Sequence, residues 1–439
     1  MPSSPSDPAS RPADFRLHDL TLPVYLPTFL FAVGIGAVTP VIPLLARDLG
    51  AGDGLVGVVV AMRAIGMTVL DVPAGVASAH FGHRPTIGVA GIALVVAGVA
   101  GFLSDGAAAL AIAVLIIGAG SALFMTARLA FMAERVPLRR RGRALSLIGG
   151  THRIGLFVGP VLGGFIGLQW GLGATFILQA VACAASVGLV IAFMPSSQLA
   201  APLEPDVSIY RRVGRTVVQH RRTFLTAGSV MVALALLRGA REILIPLRGD
   251  DIGLDVAQIG IIFGVGSAID MTFFYPVGVV MDRFGRKWSA VPSILVLAVA
   301  IALIPTADSL GWLLVVGLLA GVGNGLGSGI NMTLGTDLAP RDRPAEFLGA
   351  WRLMGDLGRV ASPFTIGFVT QAATLSAAAF MVGGVGLVGA GIMIVFVRET
   401  LRPAAELSSN DRSAARGPNR ESRDEPRSPP NAQADQKRE

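Results

Sequence analysis

Apolar runs of roughly the 20 residues that a helix needs to cross a bilayer's hydrocarbon set the rhythm of this chain. Twelve are found, near 24–46, 55–79, 86–104, 107–133, 144–168, 172–194, 223–247, 256–280, 289–307, 310–335, 347–371 and 374–397. Connectors such as 104–106 and 307–309 are so short that the flanking helices must be antiparallel neighbours. Barrel strands, which alternate over about ten residues, are excluded by runs of this length. The pattern predicts an all-α membrane protein of twelve transmembrane helices in two six-helix bundles, 23–194 and 223–397, joined by a polar linker at 195–222. Within the linker, Val207, Ile209, Val213, Val217 and Val218 alternate with arginines, which predicts an amphipathic surface helix.

Composition narrows the class. The 439 residues are 52% hydrophobic and 15% charged, against about 25% charged in soluble domains, and the mean hydropathy is +0.65. An ordinary soluble enzyme and a disordered protein are excluded, and a net charge of +7 on this background does not point to nucleic acid. Residues 1–22 and 398–439 are polar and are expected to be disordered. Residues 1–22 lack the basic start, apolar core and small-residue site of a cleaved leader, so the first apolar run is expected to stay as a helix. Connectors on the side of the termini hold 18 Lys/Arg before the tail, whereas the other side holds only Arg47 and Arg248. The positive-inside rule therefore predicts an inner-membrane protein with both termini and the linker cytoplasmic. The single cysteine, Cys183, excludes an intramolecular disulfide.

The halves repeat without a gap at an offset of 203 residues: Pro73 with Pro276, Phe81-Gly82 with Phe284-Gly285, Arg84 with Lys287, Glu134 with Asp337, Pro137 with Pro340, Pro160 with Pro363. Two similar bundles in parallel repeat are a transporter plan in which the halves rock about a central site.

Two motifs sharpen this. The loop after helix 8 reads Gly278-Val279-Val280-Met281-Asp282-Arg283-Phe284-Gly285-Arg286-Lys287, and helix 5 carries Gly155-Leu156-Phe157-Val158-Gly159-Pro160-Val161-Leu162-Gly163-Gly164. Both resemble signatures of the major facilitator superfamily, in particular its twelve-helix drug–proton antiporter branch, over roughly residues 20–398. The resemblance implies the major facilitator fold, a cytoplasmic gate in the first motif and an association with export for the second. Asp282 can sit against positive helix N-termini, and the loop's cations can face lipid headgroups. The first-half copy keeps Gly75, Gly82 and Arg84 but has Ala79 and His80 where the second has Asp282 and Arg283. The branch's arginine near the start of helix 4 falls at Val114, and helix 1 has no acidic residue.

Charges inside membrane spans are costly and are functional candidates by default. Here they are Arg63, Asp71, Arg128, Arg153, Arg238, Arg241, Glu242, Asp270, Arg352, Asp356 and Arg359, an excess of cations that favours an anionic or zwitterionic substrate. Arg238–Glu242 and Arg352–Asp356 are each four apart and share a helix face. Glu242, Asp270 and Asp356 are the candidate proton carriers; fixed ion pairs holding helices together are the alternative. Substrate-cavity candidates are Arg238, Arg241, Arg63, Arg153, Arg352, Phe31, Phe263 and Trp351. Asp71, Arg128, Glu134 and Asp337 suit positions beside the gate.

No phosphate-binding loop, no His/Cys/Glu metal spacing and no nucleophile turn is present, so no cofactor and no metal are expected. The Gly323–Gly329 run is expected to be tight packing inside helix 10. The expected function is a monomeric secondary transporter that couples protons to export of small amphiphilic compounds. A metabolite or organic-anion importer or facilitator, and a non-transporting receptor or assembly protein, are the alternatives.

Overall fold

The computed structural model describes residues 17–195, 208–340 and 344–401. Most of the two stretches expected to be disordered, and the first part of the linker, lie outside them. The described residues are helical and contain no strand. We label the long helices α1 (Leu17–Asp48), α2 (Asp53–Phe81), α3 (His83–Phe102), α4 (Ala107–Arg135), α5 (Leu138–Trp170), α6 (Ala174–Phe193), α7 (Ser229–Asp251), α8 (Val256–Arg283), α9 (Lys287–Leu303), α10 (Leu310–Leu338), α11 (Pro344–Ala372) and α12 (Leu375–Val395). Ten of them are long and apolar enough to cross a membrane. The other two, α7 and α11, have 23 and 29 residues and are as long, but they carry many of the intramembrane charges. A shorter helix, Ser208–Gln219, lies in the linker.

Local chemistry sets the ends. Asp255 accepts the Gln258 backbone N–H (2.8 Å) and Gln258 answers from its side chain, a capping box that starts α8. The turns after α2 and α8 need positive φ, supplied by Gly82 (+90°) and Gly285 (+109°). α1 begins at Leu17, ahead of its apolar run, and turns at Thr39-Pro40. α10 departs from expectation: it stops at Leu326, turns through Gly327-Ser328-Gly329 with Gly329 at φ +80°, and resumes at Ile330. The glycine run does both: Gly323 and Gly325 pack inside the helix, where added Cβ atoms would meet Leu297 at 2.8 Å and Phe273 at 2.9 Å, and Gly327 and Gly329 break it, because glycines lower the cost of leaving helical φ/ψ.

α1–α6 and α7–α12 form two bundles, and α2 against α11 and α5 against α8 make the seam. The sequence repeat is also a structural one. Gly118 of α4 meets the backbone of Arg63, and Gly321 of α10 meets that of Gly266. Arg84 donates to the Ile191 carbonyl, and Lys287 to that of Ile394; each match keeps the offset of 203. Large apolar side chains such as Ile92, Val96, Val181, Phe380 and Val388 point outward and are exposed, an arrangement that lipid rather than water accommodates.

Candidate substrate and coupling site

The seam is sealed at the end far from the chain termini. A Cβ on Gly367 of α11 would come within 2.8 Å of the Gly57 Cα in α2. One on Gly164 of α5 would lie 2.7 Å from the Val256 carbonyl oxygen of α8. Arg47 adds a clasp across this end, 2.9 Å from Asp53 in its own half and 2.8 Å from Asp251 in the other. At the end carrying the termini there is open space: among the described residues no atom lies within 4 Å of a Cβ built on Gly75 or Gly278, the first residues of the two gate motifs, so neither glycine packs against the opposite half. The Asp282 side chain is 78% exposed and, among the described residues, pairs with Arg286, 3.6 Å away, not with a helix N-terminus as expected.

The α5 motif has two working faces. Gly155, Gly159 and Gly163 press on α1 of their own half, where added Cβ atoms would meet Ala32, Val33 and Ala37 at 2.5–2.6 Å. Gly164 and the Pro160 carbonyl face α8 across the seam.

Between the sealed and open ends, three ion pairs join the halves. Arg63 of α2 pairs with Glu242 of α7. Arg153 Nη1 of α5 lies 2.9 Å from Asp270 of α8, and its guanidinium sits 4.8 Å over the Phe274 ring. Asp71 of α2 lies 2.9 Å from Arg352 of α11. Successive residues rise about 1.5 Å along a helix, so the three form a ladder from the sealed end towards the open one. The pairings expected from spacing do not form. Arg352 reaches across the seam, so Asp356 is left to Arg359 one turn on. Glu242 is held by Arg63, so Arg238 turns to the backbone.

That backbone is the break in α10. Arg238 Nη2 donates to the Gly327 carbonyl (2.9 Å), Ser289 to that of Leu326 (2.5 Å) and Ser293 to that of Gly323 (2.6 Å). Interrupting a helix frees carbonyls that must be satisfied where no water reaches, and these side chains do so. Ser328 links the break to the ladder, accepting from Arg153 (3.1 Å) and donating to Asp270 (3.4 Å). Beside the break a cleft of about 540 Å³ opens between α7, α10 and α11. Arg238, Arg352 and Arg359 line it together with Asn331, Met231 and Trp351, whose indole N–H donates to the Asn331 carbonyl (2.8 Å).

Of the residues singled out in the sequence, Arg238, Arg352 and Trp351 meet in the cleft, and Arg63, Arg153, Glu242, Asp270 and Asp71 meet on the ladder. The Arg241 Nε is buried without a hydrogen-bond partner among the described residues. Phe31 is 2% exposed and stacks on Phe124 at 4.4 Å in the first bundle's core, and Phe263 is likewise buried, so neither lines the cleft. Arg128 is buried rather than snorkelling, and donates to Thr28 (2.9 Å). Beside the gate loops, Glu134 lies 2.7 Å from His83, and Asp337 accepts from Arg286 at 2.7 Å, the same pair in each half. Sequence reading missed Ser328 and Glu399. The Glu399 carboxylate accepts the backbone N–H groups of Arg286 (2.8 Å) and Lys287 (3.0 Å), capping α9. Its only signal was an acidic residue two positions after the last apolar run.

The family model of the Major Facilitator Superfamily matches residues 24–240 and again 223–429. Among curated relatives, the uncharacterized MFS-type transporter YddS of Bacillus subtilis is 26% identical, covering 70% of this chain and 75% of that one. The multidrug resistance protein MdtH of Klebsiella pneumoniae is 25% identical, covering 74% and 80%. Among solved structures, the Escherichia coli xylose transporter XylE in its inward-open conformation matches with TM-score 0.66 at 17% identity, over 88% of this chain and 97% of that one. The human organic anion transporter MFSD10 matches with TM-score 0.62 at 17% identity, over 87% and 100%. With two copies of the family model spanning both bundles, the chain belongs to the Major Facilitator Superfamily of membrane transporters.

Proposed function

We propose that this protein is a proton-coupled exporter of small amphiphilic compounds that works by alternating access in the inner membrane, with both termini cytoplasmic. The observation that carries the reading is the ladder. Two of its three rungs, Arg63–Glu242 and Arg153–Asp270, hold the halves together through a carboxylate on the second half. A proton on Glu242 or Asp270 removes the charge that binds the opposing arginine, so protonation loosens the seam. Reformation of the pair expels the proton. Substrate exchange and proton exchange then use the same interface, which is what coupling requires. The Lys/Arg excess on the side of the termini supports the orientation, under which this conformation opens to the cytoplasm. The relatives named for multidrug resistance support the export class. Asp356, paired within its own helix, is the least suited of the three carboxylates to this role.

The test is accumulation of amphiphilic probes, anionic, neutral and cationic, in everted membrane vesicles. Export predicts accumulation that rises when the lumen is acid, and Glu242→Gln and Asp270→Asn each lower the gradient-driven rate at least about tenfold, a loss of about 1.4 kcal/mol of coupling. Full gradient-driven transport by both variants would remove the ladder from the proton path. Accumulation indifferent to the gradient would favour a facilitator.

A further inference from the structure

We infer that the cleft between α7, α10 and α11 takes an amphiphile bearing an anionic group, a carboxylate or sulfonate on an apolar body, with the anion at Arg238. This deepens the transport reading and rests on it.

The lining gives the charge. Three guanidinium groups, Arg238, Arg352 and Arg359, face the cleft, and no Asp or Glu is among the described residues that line it. Two of the three are neutralised from outside the lining, Arg352 by Asp71 and Arg359 by Asp356. Arg238 has no carboxylate within ion-pair distance among the described residues. Nη2 spends itself on the Gly327 carbonyl, and Nε is buried without a partner. The cleft thus holds one cation without an ion-pair contact among the described residues, beside a wall of Met231, Leu234, Leu348 and Trp351. A volume near 540 Å³ lies within the roughly 300–1,000 Å³ typical of small-ligand sites.

The internal repeat shows that these three positions are charged only in the second half, whereas Asn331 of the lining falls on Arg128, which is buried in the first bundle. Moved back by 203 residues, Arg238, Arg352 and Arg359 fall on Ile35, Gly149 and Leu156, none of them charged, and Gly355 falls on His152. In the first half the matching space is filled, with the His152 ring stacked on Phe31 at 6.4 Å and Phe31 on Phe124 at 4.4 Å. In the second half Gly355 leaves the room, and cations occupy three positions where fold symmetry does not require them. Packing of the repeat explains neither the space nor the arginines at these three positions; recognition of an anion explains both.

The placement also ties binding to the seam. Arg352 lines the cleft and holds Asp71 of the other half, with 59% of its side chain exposed. An anion in the cleft competes with Asp71 for this solvated arginine. Loading the substrate therefore weakens the rung nearest the open end, while Arg238 anchors the ligand.

The test uses three probes with one ring system: 2-naphthoate, 2-naphthamide and 2-naphthylmethylammonium, titrated into the purified full-length protein in lipid nanodiscs. The naphthoate is expected to bind at least about tenfold more tightly than the ammonium probe, an amount characteristic of one charge-assisted contact. Arg238→Gln brings naphthoate down to the level of the amide, and Arg238→Lys keeps most of the preference. Unchanged naphthamide binding reports that the cleft remains folded. Should Arg238→Gln fail to fold, Arg238→Met, an apolar chain of similar length that needs no hydrogen-bond partner, reads the same preference and lowers it. Ammonium binding as tight as naphthoate binding, or an undiminished naphthoate preference in a folded Arg238→Gln protein, overturns the inference. So does absence of binding by all three while vesicles still transport, and then the transport reading stands. Naphthoate binding that depends on Arg238 without gradient-driven transport has the opposite meaning: the anion site stands and the coupling proposal falls.

Discussion

Glu399 stands just beyond the last helix, and its carboxylate collects backbone N–H groups at the start of α9, where a helix is most in need of an acceptor. Partial burial alone would raise its pKa, but the donated N–H groups of Arg286, Lys287, Leu401 and Thr400 outweigh it and hold the carboxyl below its ordinary 4.5. A depressed value in the folded state means stability that is complete above the unfolded value and lost as pH falls through the folded one. Glu399→Gln is therefore expected to lower the melting temperature at neutral pH, by the equivalent of about 1 kcal/mol for a lost cap. The gap should close once the pH is below the carboxylate range. A constant gap at all pH values would contradict the capping account. At this scale the sequence was legible in kind but not in pairing. Every charge on the ladder was visible as an intramembrane oddity, yet spacing within one helix pointed Arg352 to Asp356 and Arg238 to Glu242. A neighbour four residues away offers one partner among several, and the tertiary crossing at Asp71 and Arg63 offers a better one.

Among elements, the seam depends on the absence of side chains. Gly57 on α2 and Gly367 on α11 let the backbones meet, and Gly164 does the same for α5 against α8. Adding atoms to a packed contact costs about 1–3 kcal/mol, and only the state sealed at this end bears that cost. Gly57→Val should therefore shift the population towards the opposite state by roughly 5- to 150-fold. The check is a pulsed EPR distance between spin labels at Asp105 and Asp308, exposed positions related by the repeat on the far side. The variant should populate a longer distance; an unchanged distribution would mean that the seam does not control this end. The main glycine face of the α5 motif seals α1, a contact inside one half that spacing alone could not distinguish from one across the seam. The α10 glycine run packs at Gly323 and Gly325 as expected, and the break at its far end was missed for a related reason. Glycine serves packing and breaking equally well, and only the acceptors freed at Gly327, together with the donors Arg238, Ser289 and Ser293 that meet them, decide for a break.

For the whole molecule, the hydrophobic rhythm and the 203-residue offset already defined the architecture, because membrane length and pseudo-symmetry are both written in one dimension. What they could not give is the departure from symmetry. His83–Glu134 and Arg286–Asp337 occupy matching places at the gate, and yet only the second half keeps the cleft, its three arginines and the broken helix. One end is sealed by glycines and the Arg47 clasp, the other has open space at Gly75 and Gly278, and the charge ladder stands between them. The central claim is that the halves rock about this ladder, so that one end closes as the other opens. The most direct measurement is a pair of pulsed EPR distances in the same protein in lipid, Asp105 to Asp308 on the far side and Phe81 to Phe284 on the side of the termini, taken at neutral and at acid pH. The account predicts that acidification lengthens the first distance and shortens the second. Two distances that stay fixed, or that grow and shrink together, would contradict it.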